Sequence, residues 1–294
     1  MKKGIIAGVA LLSTLSMAAL GAFSSNGVPA AHAAQVHPTV KHAAAHTVKL
    51  QHIYLTILPG ARLGPDGKMH DTYSPADFSV VQGVPVQVTI YNYDGGPHSF
   101  TSPAFGLNEV IGGSTKTGVA NVKSFTFTPK NTGSFTWRCD LQCDGGSGTD
   151  FSMWNDGYMV GTVKVVPNQK EQFVTLTIKD GLKFGPTKKT KSGTSNMHDS
   201  YSPADFTVTA GVPVHLTVVN WDTGDHSLTA PELGVNKVFP GASKEGVPSV
   251  TNFTFTVPKS GKYKWQCEIK CDGGMQSYAM THDGYMLGYI TAVN

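Results

Sequence analysis

Apolar and polar residues alternate in short stretches along most of the chain. The alternation is clearest in residues 206–209, 214–219, 253–257 and 286–293. A period of two residues is typical of strands that bury one face. Turns between these stretches are supplied by Gly and Pro, which occur 33 and 17 times. The pattern predicts several short strands in an all-β sandwich or barrel.

The chain contains one such unit twice. The run from Met69 to Phe78 returns almost unchanged from Met197 to Phe206, and the register then holds through two cysteine pairs. A repeat of this length indicates a duplicated domain and not a solenoid. The second unit carries a longer polar segment from Thr187 to Asn196, which we predict to be a solvated loop. At 294 residues the chain is long enough for two domains with separate cores.

The N-terminal segment has the pattern of a secretory signal peptide. A positive start at residues 1–3 precedes an apolar run and an Ala-His-Ala pattern at residues 31–33. If the run were not cleaved, it would hold the protein close to a membrane. We expect a secreted or extracytoplasmic protein, in the periplasm or at the cell surface. The predicted segments are a signal peptide at 1–33, a His/Ala-rich tether at 34–46, a first domain at 47–167, a linker at 168–171 and a second domain at 172–294.

Composition excludes some classes of function. Charged residues make up 15% of the chain and the net charge is only +3, which does not favour nucleic-acid binding. No segment carries the signature of a small-molecule substrate pocket. The Gly-x-Ser-x-Gly motif of serine hydrolases is also absent from the sequence.

Residues that could bind a soft metal recur in the same order in both units. Each unit has a His, a cysteine pair and then a Met: His98, Cys139, Cys143 and Met159 in the first, and His226, Cys267, Cys271 and Met286 in the second. Imidazole, thiolate and thioether together suit copper better than calcium or magnesium. Export also permits an alternative in which each cysteine pair forms a disulfide.

These residues resemble the ligands of the cupredoxins, Greek-key β-sandwiches that hold copper at one end. The segment 220–227 is similar to the strand end that delivers the first histidine of that family, and 282–288 is similar to its His and Met-x-Gly ending. The Cys-x-x-x-Cys spacing most resembles the dinuclear purple-copper domain of cytochrome c oxidase subunit II, whereas a blue-copper site needs one cysteine. The resemblance implies two tandem Greek-key β-sandwich domains. In the second domain it implies these ligands: His226, Cys267, the Ile269 carbonyl, Cys271, His282 and Met286.

The two units differ near the end of this pattern. Asn155 stands where the second unit has His282, so we expect the first site to be altered or empty. His70 could complete the first site, or it could cap a loop. In the second unit, Met275 and Met280 lie between the cysteines and His282 and offer alternative soft ligands.

The sequence thus predicts an exported copper protein that transfers electrons through its second domain and is not an enzyme. The cofactor is copper, in a mononuclear or dinuclear site, and the partner is a redox protein or a copper-handling protein. Paired His-x-His motifs of a trinuclear copper centre are absent from the sequence. A copper chaperone or store is an alternative that the His-rich tether favours. A metal-free structural module with disulfide-closed loops is another.

Overall fold

The computed structural model describes residues 47–144, 151–167, 170–190 and 193–294. The predicted signal peptide and tether lie outside the described residues, as do residues 168–169 of the predicted linker. The two halves of the molecule are called here the first domain and the second domain.

The first domain consists of nine strands and one short α-helix within its described residues. They are β1 (Gln51–Leu63), β2 (Met69–Ser74), β3 (Phe78–Val81), β4 (Val86–Asn92), β5 (His98–Ser102), β6 (Leu107–Ile111), β7 (Asn121–Phe127), β8 (Gly133–Arg138), α1 (Phe151–Trp154) and β9 (Val160–Val166). A single 3-10 turn, Pro103–Phe105, separates β5 from β6.

The second domain repeats these elements. They are β10 (Gln172–Thr190), β11 (Gly193–Ser202), β12 (Phe206–Thr209), β13 (Pro213–Asn220), β14 (His226–Ala230), β15 (Val235–Phe239), β16 (Ser249–Thr256), β17 (Gly261–Gln266), α2 (Tyr278–Thr281) and β18 (Leu287–Val293). Its 3-10 turn is Pro231–Leu233.

Each domain folds into two sheets with the same strand order. The sheets of the first domain are β2-β1-β4-β7 and β3-β9-β8-β5-β6, and those of the second are β11-β10-β13-β16 and β12-β18-β17-β14-β15. Each sheet contains one parallel pair, such as β1 with β4 and β12 with β18. The prediction of an all-β chain built of β-sandwich domains is confirmed.

The core of each sandwich is formed by the apolar positions of the alternating pattern. Trp137 and Trp265 lie at the two centres with 0% exposure. Their indole N–H groups donate to the carbonyls of Ala76 and Ala204 at 3.0 Å and 2.9 Å. Both indole N–H groups are therefore paired, and the rings anchor the strands that end at the cysteines.

The longer polar segment of the second domain forms part of a hairpin. In this segment β10 pairs with β11, with Lys188 opposite Ser195 and Thr190 opposite Gly193. The prediction of a loop from Thr187 to Asn196 is therefore wrong for its described residues. Backbone pairing stabilises the extended chain although many of these side chains are exposed.

The contact between the two domains is reciprocal. Thr56 of the first domain donates to Ser202 of the second at 2.9 Å, and Thr177 of the second donates to Ser74 of the first at 2.9 Å. Trp221 adds a bond from its indole N–H to the Ser74 hydroxyl at 2.8 Å. Equivalent residues of the two domains thus contact each other in exchange, as they do across the interface of a two-fold symmetric dimer.

The α-helices among the described residues are single turns of four residues. None of the helices that the structure describes is long and apolar enough to cross a membrane.

We expect Trp221→Ala to lower the free energy of unfolding by about 3–5 kcal/mol. The ring is 4% exposed and belongs to a small apolar cluster that joins residues of both domains. Urea denaturation measures the loss. Val110→Thr, at a position that is 52% exposed, is the control and should change stability by less than about 0.5 kcal/mol. Similar losses in the two variants would contradict the importance of this cluster.

Candidate metal centres

Each domain brings one imidazole and two thiols together at the end of a sheet. In the second domain His226 begins β14, Cys267 directly follows β17, and Cys271 lies in the loop beyond. Their ligand atoms lie within 4.8 Å of one another, and all three residues are buried. The first domain repeats the group with His98, Cys139 and Cys143.

A carboxylate holds each imidazole in one orientation. Nε2 of His226 lies 2.7 Å from Asp222 Oδ2, and a carboxylate can only accept, so Nε2–H donates. Nδ1 then faces the Cys267 sulfur at 4.0 Å. A histidine that binds a metal commonly donates its other ring nitrogen in this way. The first domain repeats both contacts, at 2.8 Å and 3.9 Å, with these residues: His98, Asp94 and Cys139. Nδ1 and the sulfur are therefore both directed at the same space.

Backbone groups surround the first cysteine of each pair. Ser227 donates its N–H to the Cys267 sulfur at 3.3 Å, which stabilises negative charge on that sulfur. The Cys267 sulfur also lies 3.5 Å from the carbonyl oxygen of Ile269, one of the predicted ligands. In the first domain the corresponding groups are the N–H of Ser99 and the carbonyl of Leu141.

The predicted thioether ligands, Met159 and Met286, are buried with 0% exposure. The N–H of Cys267 donates to the Met286 carbonyl, and that of Cys139 donates to the Met159 carbonyl, each at 2.8 Å. These bonds continue the pairing of β17 with β18 and of β8 with β9. The backbone of each methionine therefore lies directly beside the first cysteine of its domain.

The structure does not bring His282 together with these donors. His282 is exposed, its ring stacks on Tyr278 with 3.8 Å between centroids, and its Nδ1 lies 2.9 Å from the Tyr278 carbonyl. Asn155 makes the same contact, since its side-chain amide donates to the Phe151 carbonyl at 2.6 Å. Each residue follows a single-turn helix and bonds to the carbonyl four positions earlier. The exchange of Asn for His thus preserves a helix-end contact, and the ligand role of His282 stays a prediction.

Asp272, which the sequence analysis did not single out, locks the cysteine loop of the second domain. Its Oδ2 lies 2.8 Å from His198 Nδ1, and it exchanges hydrogen bonds with Asp199 at 2.6 Å and 3.3 Å, each carboxylate accepting the other backbone N–H. Its signal in the sequence is the repeated Cys-Asp-Gly-Gly run. Asp222 was missed too, although an Asp four residues before the His recurs in both domains.

His70 has the corresponding place in the first domain. Its Nδ1 lies 2.5 Å from Asp144 and its Nε2 lies 3.0 Å from Asp66. Because both ring nitrogens contact carboxylates, the geometry favours the loop-capping alternative over a ligand role for His70.

The buried thiols and imidazole shift one another's ionisation. Burial lowers the pKa of His226, but hydrogen bonds with Asp222 and Cys267 outweigh it and raise the pKa to about 9. A hydrogen bond from Cys271 lowers the pKa of Cys267 to about 4, and that same bond together with burial raises the pKa of Cys271. The first domain shows these shifts at His98, Cys139 and Cys143. Each centre therefore holds a preformed thiolate next to an imidazolium at neutral pH.

We expect His282→Asn to leave the copper affinity and optical spectrum of the second domain unchanged, because Asn makes the equivalent helix-end bond in the first domain. Asp222→Asn should instead weaken copper binding there by about 10- to 100-fold, since it releases the imidazole. Competition titration against a copper chelator measures both affinities. Loss of affinity in His282→Asn would show that His282 is a ligand.

In the metal-free, reduced protein, the charge on His226 should stabilise the fold in a pH-dependent way. The folded pKa of about 9 exceeds the ordinary value of 6.5. The stabilisation is therefore fully present below pH 6.5 and is lost as pH rises through about 9. We expect the difference in unfolding free energy between wild type and His226→Gln to shrink across this interval by on the order of 1 to 3 kcal/mol. Urea denaturation at several pH values measures it, and a constant difference would contradict the shift.

Comparison with known proteins gives distant structural neighbours, and no curated protein matches the chain. Copper nitrite reductase from Nitrosomonas europaea is 16% identical, with 84% of this chain and 95% of that chain covered and a TM-score of 0.31. The multicopper oxidase mgLAC is 12% identical, with 83% and 86% covered and a TM-score of 0.29. The copper nitrite reductase NirK from Thermus scotoductus is 13% identical, with 83% and 62% covered and a TM-score of 0.28.

The prediction that the chain is not an enzyme is contradicted by these neighbours, because they are enzymes. That prediction depended on motifs missing from the sequence, and a missing motif does not exclude catalysis. The TM-scores are too low to transfer the reactions of these neighbours to this chain.

A match to a family model covers the end of the first domain and most of the second. Residues 159–276 match the cupredoxin-like domain, in agreement with the resemblance that the sequence shows. The match does not separate the dinuclear type of centre from the mononuclear type. The segment that holds His226, Cys267 and Cys271 thus lies within a region similar to the cupredoxin-like domain.

Proposed function

We propose that this protein binds one copper ion in each domain and transfers electrons through these centres. The observation that carries the proposal is the buried group of one imidazole and two thiols, within 4.8 Å of one another, with a carboxylate fixing the imidazole. A buried methionine next to the first cysteine completes a set of nitrogen and sulfur donors.

The donor set fits copper. Cysteine and histidine alone would also suit zinc, but a thioether is a soft donor typical of copper sites. Acidic oxygens, which calcium and magnesium require, are engaged in hydrogen bonds around the group, as Asp222 shows by accepting from His226. In the second domain we assign the ligands as Nδ1 of His226, the sulfurs of Cys267 and Cys271, and the thioether of Met286. In the first domain we assign His98, Cys139, Cys143 and Met159.

One ion per domain follows from the number of imidazoles. A dinuclear centre of the purple-copper type would need a second histidine, for which the sequence offers His282. That side chain bonds to the end of α2 and is exposed. Each group of two buried thiols contains one imidazole, which supports a mononuclear site, and the equivalence of the two domains supports a centre in each.

The protein surroundings suit electron transfer because they keep the donors in place. Asp222 fixes the ring of His226, the N–H of Ser227 holds the Cys267 sulfur, and the strand pairing fixes the backbone of Met286. Copper, when bound, supplies the transferable electron by alternating between its two common oxidation states. A donor set that cannot rearrange lowers the energy needed to accommodate both states.

The N-terminal pattern of a signal peptide supports an extracytoplasmic location for this activity. There the electron would pass to or from a redox partner protein.

The optical spectrum of the copper-loaded, full-length protein tests the proposal. We expect intense thiolate-to-copper bands, about half of which remain in Cys267→Ser and about half in the matched Cys139→Ser. Reversible reduction and reoxidation should follow in electrochemical titration. The double variant should lose the bands completely.

Other outcomes identify the alternatives. A copper content of two ions per domain with mixed-valence bands would establish a dinuclear site. Tight binding of Cu(I) without a reversible potential would favour a copper store. No copper uptake together with a lack of titratable thiols in the purified protein would favour disulfides and overturn the proposal.

A further inference from the structure

A cavity of about 540 Å³ lies beside the candidate centre of the second domain. Its lining includes Cys267, Glu268, Met275, Gln276 and Met280. Cys267 itself is 1% exposed. The cavity therefore leads from the surface to the first cysteine of the centre.

Two thioethers line this cavity at different depths. Met275 is 57% exposed, whereas Met280 is 8% exposed. A large apolar side chain that stays this exposed contributes little to the core. The side chain of Met275 is thus accessible to solutes, and thioethers favour soft ions such as Cu(I).

The backbone beside Met275 is strained. Gln276 has a φ of 61°, in the left-handed region that disfavours residues with a side chain. Next to it, the Ser277 hydroxyl is buried and has no hydrogen-bond partner among the described residues. Strained backbone and unpaired buried hydroxyl groups both cost free energy of folding, and they are concentrated in loops that have a function besides folding.

We propose that Met275 and Met280 form a capture site for Cu(I), which then passes to the cysteines of the second domain. This inference rests on the proposed function in one respect, namely that the cysteines of the second domain receive the copper ion. The transfer is a ligand exchange: a thioether–copper bond breaks and a thiolate–copper bond forms. Copper keeps its oxidation state, and any thiol proton goes to solvent.

The capture site should distinguish the two domains. In the sequence of the first domain, the positions after Cys-Asp-Gly-Gly are Ser147, Gly148, Thr149 and Asp150, and none of these has a sulfur atom. Met280 has a counterpart in Met153 of the first domain, which is also 8% exposed, whereas Met275 has no counterpart among these four residues of the sequence, so Met275 distinguishes the second domain. We expect the second domain to load with Cu(I) before the first.

Loading kinetics test the inference. Anaerobic Cu(I) is added to full-length protein in a Cys139→Ser, Cys143→Ser background, in which only the second domain can load. Met275→Leu, which keeps the size and removes the sulfur, should slow loading by about 10-fold, and the final copper content and spectrum should not change. Met69→Leu is the matched control, because Met69 is 36% exposed and lies outside the cavity. Equal rates in wild type and Met275→Leu would overturn the proposal.

A second measurement does not depend on the centre. In a variant with all four cysteines changed to Ser, Cu(I) should shift the methyl NMR signals of Met275 and Met280 but not that of Met69. If this variant does not fold, the same spectra are recorded on wild-type protein whose thiols are blocked by Hg(II). Unshifted signals of Met275 and Met280 would contradict capture. If the methyl signals shift but the cysteines of the wild-type protein bind no copper, the proposed function is refuted and binding of Cu(I) by Met275 and Met280 is still supported.

Discussion

The hydrogen bond between Asp222 and Nε2 of His226 determines the chemistry of the second-domain centre, and that between Asp94 and His98 does so in the first. An imidazole has two nitrogens, and only the one without a proton can bind a metal. By accepting from Nε2–H, the carboxylate leaves Nδ1 to face the cysteine sulfur. In the proposed centre, this fixed orientation directs Nδ1 to the copper ion that the cysteine sulfurs and the methionine would also bind.

A second constraint joins the distant ends of each domain. Asp272 directly follows the second cysteine, and it bonds to the backbone of Asp199 and to the ring of His198, near the start of the domain. The cysteine loop is thereby tied to a strand that lies far away in sequence. Fixing such a loop before any metal binds removes part of the entropic cost of forming the site. The same Asp and His pair recurs in the first domain as Asp144 and His70.

The fold and the His/Cys/Cys group were predictable because both leave local signals: a two-residue alternation for the strands, and soft donors in repeated order for the centre. The environment of His282 was not, since spacing alone cannot show whether an imidazole binds a metal or bonds to a helix end. The aspartates Asp222 and Asp272 were missed for a similar reason. Their partners are set by loop conformation, including a φ of 54° at Asp272 that no residue pattern reveals. The hairpin near Lys188 was mistaken for a loop because strand pairing can stabilise a polar sequence.

The interface between the two domains connects their candidate metal centres through buried contacts. Tyr73 donates to the carbonyl of Ser99, next to His98, and the adjacent Ser74 accepts from Trp221 of the other domain. Trp221 in turn precedes Asp222, the residue that orients His226. Each step in this series is a buried contact or a peptide bond, so the interface is linked to the strand that carries His98 and to the residue before Asp222. Displacing either domain would therefore disturb the orienting carboxylate of one centre and the strand end of the other, which gives a physical reason for the two domains to remain paired.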